Sequence, residues 1–341
     1  MKIIVDAMGG DNAPLEIVKG ALQAQKRFGT DIVFTGDEAA ILAAVRACGF
    51  TELPDGAAII PASETVEMCD DPATVFRRKK DTSMGVGLTL LKNGGGDAMV
   101  SAGSTGALLT GATLITKRIH GIRRAAMAPV IPTTTGSAVL IDCGANAECT
   151  PEYLVQFAYL GNFYAQRVLG VARPRVGLLN IGTEEHKGTE GHESAYRLLS
   201  GMKNIHFVGN IEPTALPQSP CDVLVADGFS GNILLKTLEG MCRYIFKSIQ
   251  GALASSSLPD EGKYASGRIL KQVSGRFDAS EHGGAPLIGI SAPVIKAHGN
   301  SDARAIKNAI RQALRYAESN AIAEIEEGIK GADLPKEHTP G

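Results

Sequence analysis

The sequence predicts an α/β fold, a single unit with two lobes around a cleft, built on a mostly parallel sheet. Two observations carry this expectation. Short β-branched runs alternate with longer helical patterns along most of the chain, as parallel βαβ units require. Nearly every run also closes at its carboxyl end on glycine and small polar residues, where an open parallel sheet gathers its ligands. The 341 residues are 44% hydrophobic and 21% charged, enough to bury one large or two modest cores.

The elements follow in order. Strands are expected at Lys2 to Asp6, Asp31 to Thr35, Ala57 to Ile60, Asp97 to Ser101, Ala138 to Asp142, Val176 to Asn180, Ile205 to Val208, Asp222 to Asp227 and Pro293 to Ala297. Helices fill the intervals. Pro14 after Asp11-Asn12 and Pro151 after Thr150 stand where helices begin, because the fixed φ of proline suits the first turn and its missing N–H is not needed there. Ser301-Asp302 precedes an alanine-rich amphipathic stretch that ends near Ser319. No linker divides the chain and no internal repeat is evident.

Composition excludes several classes of function. A formal net charge of -2, 5% aromatics and no Trp argue against a nucleic-acid partner. Met1 runs straight into an expected strand without the apolar stretch and cleavage site of a secretory leader, so none is expected, and no run of eighteen apolar residues is present. Cys48, Cys69, Cys143, Cys149, Cys221 and Cys242 form no C-x-x-C pair and no zinc spacing, and read as reduced, mostly buried thiols of a cytoplasmic protein. The phosphate-loop, dinucleotide and nucleophile-elbow motifs are missing, as is any Asp-x-x-x-Asp pair. No cofactor and no metal are expected.

The forty glycines are in excess for this length, and many of them cluster at the strand ends. Six loops matter: Asp6 to Asp11, Ser101 to Gly106, Asp142 to Asn146, Asn180 to Gly188, Asp227 to Asn232 and His298 to Asp302. Glycine before a helix start lets backbone N–H groups approach an anion, and the helix dipole favours negative charge there. In any single loop, glycine could equally serve a tight turn or a cap. Six together point to an anion or phosphate pocket at one crevice. Lys187, beside His186, Glu184 and Glu185, supplies a compact cation for it. A solvated surface loop is the plain alternative. His298 and Asp302 are candidates for a base or for orienting phosphate, and Asp302 could equally cap a helix.

Taken together, Asp6-Ala7-Met8-Gly9-Gly10-Asp11, Arg77 to Met84, Ser101 to Gly106, Ala226 to Asn232 and Glu281 to Leu287 followed by Lys296-Ala297-His298-Gly299 resemble the PlsX family, from Met1 to about Ser319. The resemblance implies a Rossmann-like three-layer sandwich of the isocitrate and isopropylmalate dehydrogenase type. It implies transfer of a fatty acyl group from acyl carrier protein to inorganic phosphate, giving acyl phosphate for phospholipid synthesis. It further implies a homodimer that uses no cofactor and a downstream glycerol 3-phosphate acyltransferase as consumer; a cytoplasmic location with reversible attachment to the inner face of the membrane is expected from the cysteines and from the amphipathic stretch at 233–277. The ligand-site positions carried over are Asp6, Gly9, Gly10, Ser104, Thr105, Asn146, Ser230 and Asn232. Lys187, His186, His298 and Asp227 are the catalytic candidates. Residues 1–320 are expected as one acyltransferase unit and 321–341 as a tail. Two other functions stay open: a short-chain phosphotransacetylase using acyl-CoA, and a non-catalytic acyl-lipid binder at the membrane surface.

Within this unit, 233–277 reads as an amphipathic helical insertion. Leu234, Leu238, Met241, Ile245 and Ile249 recur at helical spacing, and Arg268, Lys271 and Arg276 follow with no intervening acid from Tyr264 onward. Such a basic amphipathic pair suits anionic lipid or a dimer contact, unless the apolar face packs on its own sheet. Arg77-Arg78-Lys79-Lys80 and Arg123-Arg124 are the densest basic clusters and could steer an acidic carrier protein, unless they are simply solvated helix ends.

Overall fold

The computed structural model describes residues 1–277 and 283–331. Within them the strands are β1 (Lys2–Asp6), β2 (Asp31–Gly36), β3 (Ala57–Pro61), β4 (Ala98–Ser101), β5 (Ala126–Met127), β6 (Val130–Pro132), β7 (Ser137–Ile141), β8 (Arg175–Leu179), β9 (His206–Ile211), β10 (Val223–Val225), β11 (Ala285–Ile288) and β12 (Val294–Lys296). The helices are α1 (Leu15–Phe28), α2 (Glu38–Ala47), α3 (Val75–Arg78), α4 (Ser83–Lys92), α5 (Thr105–Gly111), α6 (Pro151–Arg167), α7 (Glu190–Ser200), α8 (Gly228–Ser255), α9 (Asp260–Arg276), α10 (Ala303–Glu318) and α11 (Ala321–Gly331). All nine expected strands form. The additional ones, β5, β6 and β11, are short antiparallel pieces beside Pro129, Pro132 and Pro286, too brief for a period to be read.

The strands divide into two sheets, a seven-stranded one in the order β3-β2-β1-β4-β12-β11-β5 and a five-stranded one in the order β6-β7-β10-β8-β9. Both are parallel except at β5, β6 and β11. The fold is thus α/β and mostly parallel, as expected. The six glycine loops, however, do not lie along one sheet: three close strands of the first sheet and three close strands of the second. Pairing between distant strands decides this, and no local pattern announces it.

Alternation along the strands explains the layers. Ile3 and Val5 of β1, Val139 and Ile141 of β7, and Val223 and Val225 of β10 share one core with α1, α6 and α10. Their neighbours turn the other way. Ile4 and Met99 meet α4 and α5 in a second cluster, and Leu140 and Leu224 meet Leu216 and Leu234 in a third. Period-two burial on both faces is what a covered parallel sheet imposes. The middle layer is joined by Tyr164 and Tyr316, whose rings meet edge to face with centroids 5.4 Å apart, and by Gln312, which donates to the Tyr164 hydroxyl at 3.3 Å. α11 packs on α6, burying Ile325 and pairing Glu324 with Arg167 at 2.5 Å.

The helix starts follow their sequence signals. Pro151 occupies the first turn of α6 after Thr150, and Asp302 caps α10 by accepting from the Ala305 N–H at 2.8 Å. No helix among the described residues is long and apolar enough to cross a membrane.

Candidate active site

The floor of the first half is made by β1, β4 and β12. Register aligns Val5 with Val100 and Ser101 with Lys296, so Asp6, Ser101 and Lys296 close three neighbouring strands on one face. Asp6 is buried. It accepts from Ser83 at 2.7 Å and from Ser101 at 2.6 Å. Burial pushes its carboxyl above the usual range, against these hydrogen bonds, which favour the charged form.

Above this floor the loops meet at van der Waals contact. A Cβ on Gly9 would lie 2.6 Å from the Asp6 carboxylate and 2.7 Å from the Gly103 nitrogen. Gly10 has φ +105°, and a Cβ there would stand 2.9 Å from both Ala102 and the Gly299 carbonyl. Glycine is therefore required at both positions by space, and at Gly10 by conformation also. The Asp11 N–H donates to the Gly299 carbonyl at 2.8 Å, tying the His298 loop to the β1 loop. Ser104 caps α5 through the Ala107 N–H at 3.5 Å, and Thr105 opens that helix. Asp6, Gly9, Gly10, Ser104 and Thr105 are thereby gathered, and exposed His298 stands at their edge.

The second half centres on Asp142, the acid just past β7, which no motif in the sequence singles out. Its buried carboxylate accepts from the N–H groups of Met127 at 2.8 Å, Cys143 at 2.6 Å, Ala145 at 3.3 Å and Asn146 at 2.6 Å, and from the Asn146 side chain at 3.0 Å. Asn146 in turn donates to the Ala125 carbonyl at 2.8 Å and accepts from the Gly228 N–H at 2.7 Å. Met127 and Ala125 belong to the first lobe, so this node fastens the two halves together. Asp227 caps α8 by accepting from the Ser230 N–H at 2.8 Å. Gly231 lies so close to Asp142 that a Cβ would collide with its carbonyl. α8 therefore begins at Gly228. Ser230 lies in its first turn and Asn232 just after it, facing Gly144, so this loop opens the helix.

The β8 loop is held at its base. Asn180 donates to the Lys187 carbonyl at 2.9 Å and Asn210 to the Glu184 carbonyl at 2.8 Å, which leaves the His186 side chain exposed and that of Lys187 half-buried over Gly182. Lys187 and His186 belong to the loop that follows β8, the strand next to β10. Lys236 of α8 lies near enough to Lys296 of β12 for its like charge to lower the Lys296 pKa. Burial, followed by the charge of Asp142, pushes the Cys143 and Cys149 thiols to about 12, so neither is a thiolate at neutral pH. Of the six cysteines only Cys143 and Cys221 are buried, while Cys48, Cys149 and Cys242 are partly buried and Cys69 is exposed, so the expectation of mostly buried thiols fails for four of them. Glu281 and His282 lie outside the described residues.

A family model described as fatty acid synthesis protein matches residues 1–324. The chain belongs to that family. This is the resemblance that its strand-end loops carry. Family relatives include a phosphate acyltransferase from Thermoanaerobacter pseudethanolicus, 44% identical over 97% of this chain and 98% of that one. Another, the phosphate acyltransferase of Clostridium acetobutylicum, is 43% identical over 95% of this chain and 98% of its own. Among solved structures, a phosphotransacetylase from Streptococcus pyogenes superposes with a TM-score of 0.64 at 19% identity, covering 93% of this chain and 94% of that one. A branched-chain phosphotransacylase from Enterococcus faecalis gives 0.57 at 14% identity, over 94% of this chain and 100% of that one. These two share the fold with the family member described here.

Proposed function

We propose that the chain is a phosphate acyltransferase that moves a fatty acyl group from the thioester of acyl carrier protein to inorganic phosphate, feeding phospholipid synthesis. The observation that carries this is near full-length similarity to phosphate acyltransferases, in a chain whose glycine-bearing strand-end loops are packed closely together.

A phosphate oxygen attacks the thioester carbonyl carbon. The new C–O bond forms, the C–S bond breaks, and the phosphate proton ends on the departing sulfur, giving acyl phosphate and free carrier thiol. Asp6, Gly9, Gly10, Ser104, Thr105, Asn146, Ser230 and Asn232 bind the substrates in this reading. Lys187 neutralises phosphate, while His186, His298 and Asp227 are the groups placed to handle the proton. Rate then comes from positioning and from stabilising the oxyanion, with no acyl-enzyme and no cofactor. Residues 1–320 act as one catalytic unit with the helical pair as its insertion.

The carrier protein docks on α3. Lys79 is engaged by Asp70 at 2.6 Å, while Arg77, Arg78 and Lys80 stay exposed. This cluster adjoins the site, because Pro72 touches Gly106 and Phe76 lies against Gly111. The Arg123-Arg124 pair is less available, as Arg124 stacks over Tyr153 at 5.5 Å. The outer halves of α8 and α9 rest reversibly on the inner face of the membrane and meet a second copy of the chain. Exposed Met241, Tyr244, Ile245, Tyr264 and Ile269 support this part of the reading.

The deciding assay incubates purified protein with long-chain acyl carrier protein, with and without inorganic phosphate. Phosphate-dependent release of carrier thiol is expected, and its absence would sink the proposal. Lys187→Ala should lower turnover by about a hundredfold with the melting temperature unchanged. A wild-type rate in that variant removes Lys187 from the mechanism.

A further inference from the structure

One buried ammonium at the floor of the cleft has no part in the chemistry above. Lys296 ends β12 and is 8% exposed. An ammonium taken out of water must be hydrogen-bonded. Its Nζ donates to the Ala102 carbonyl at 3.4 Å and to the Ala297 carbonyl. These are the first carbonyls beyond β4 and β12, immediately before the Gly103–Gly106 and His298–Gly299 turns.

In a trans peptide the N–H points opposite its C=O. Drawing these two carbonyls down onto Nζ therefore sets the direction of the Gly103 and His298 amides that follow. The Gly103 N–H donates to Ser101 at 3.1 Å, and Ser101 donates to Asp6 at 2.6 Å, so one network runs from ammonium to carboxylate beneath the loops. The β1 loop is keyed to the same pair, since Asp11 donates to Gly299 and Gly10 fits against Ala102.

We propose that Lys296 is a positioning residue for phosphate, its ammonium locking the β4 and β12 loops together and placing a buried positive charge beneath the anion. This rests on the phosphate acyltransferase reading. The charges facing the ammonium are Asp6 of β1, Asp11 of the β1 loop and Lys236 of α8. Burial is the largest influence and lowers its pKa; Asp6 and Asp11 raise it, Lys236 lowers it, and the balance falls at about 8. The lock therefore weakens as pH rises through that value.

The test measures inorganic phosphate binding by calorimetry from about pH 8 to about pH 9.5, where phosphate is already the dianion, beside steady-state kinetics. Wild-type phosphate affinity should fall about tenfold across that range. Lys296→Met should raise the KM for phosphate about tenfold at neutral pH, leave the KM for the acyl donor within about twofold, and make phosphate affinity independent of pH. Lys296→Arg, charged throughout, should restore affinity without the pH dependence. A folded Lys296→Met enzyme with an unchanged KM for phosphate overturns the proposal. Flat wild-type affinity across the range overturns it as well, and needs no variant to fold. Phosphate binding that depends on Lys296 in a protein releasing no carrier thiol would support this proposal and sink the acyl-transfer reading alone.

Discussion

Asp142 shows how much one buried carboxylate can organise. Five hydrogen bonds converge on it from Met127, Cys143, Ala145 and Asn146, and through Asn146 it reaches the first turn of α8. Hydrogen bonds to a charged acceptor are each stronger than neutral ones, and leaving a buried donor unmatched is costly. Asp142→Asn, which turns an N–H₂ toward N–H donors, should cost about 2–3 kcal/mol in urea unfolding. A loss below about 0.5 kcal/mol would remove Asp142 from this role. Burial holds its carboxyl above the usual range. The native chain therefore keeps a proton that the unfolded chain has lost, and the stability from this group falls as pH rises through that window. The asparagine variant should lack that slope. The sequence signal for Asp142 was slight, an acid closing an apolar strand. Lys296 was no plainer, because Val294-Ile295-Lys296 reads equally as alternation with an outward lysine. A charged residue in a run covered on both faces is the signal to follow.

At the scale of elements, α8 has two characters. Leu234 and Leu238 pack into the core beneath the five-stranded sheet, while Met241, Ile245 and Ile249 farther along are exposed. The single apolar stripe read from the sequence is therefore split: its first turns seat the helix and its later turns face outward. Periodicity finds a stripe but does not say where the sheet ends. Met241→Glu, Ile245→Glu and Ile249→Glu together should abolish flotation with anionic liposomes and leave the melting temperature unchanged. Flotation equal to wild type would count against membrane attachment. On α3, Arg77→Glu with Arg78→Glu should raise the KM for the carrier-bound donor by about tenfold at low salt and spare turnover, since charge steers the encounter. An unchanged KM would end the docking role.

Across the whole molecule, the strands were legible because parallel strands buried on both faces are dense in Val, Ile and Leu. Their division into two sheets was not, because it is fixed by contacts between residues far apart in the chain. The candidate site was legible loop by loop, since glycine and small polar residues mark strand ends locally. The arrangement of those loops in two facing sets followed only from the pairing. α1, α6 and α10 form one layer under both sheets, so the lobes share a core and should unfold together. Tyrosine fluorescence and far-ultraviolet circular dichroism should give the same urea midpoint; two separate midpoints would show independent lobes.

The order in which the strands enter their sheets has a consequence for synthesis. β6 to β10 are contiguous in the chain and complete the second sheet by Val225. The first sheet starts at Lys2 yet waits for β12, which fits between β4 and β11 some two hundred residues after β4. Until then β4 is an open edge on a growing chain, the kind of surface that pairs with neighbours. The lobe begun first is closed last. Cleavage or stalling before Val294 should therefore yield chains that aggregate through β4.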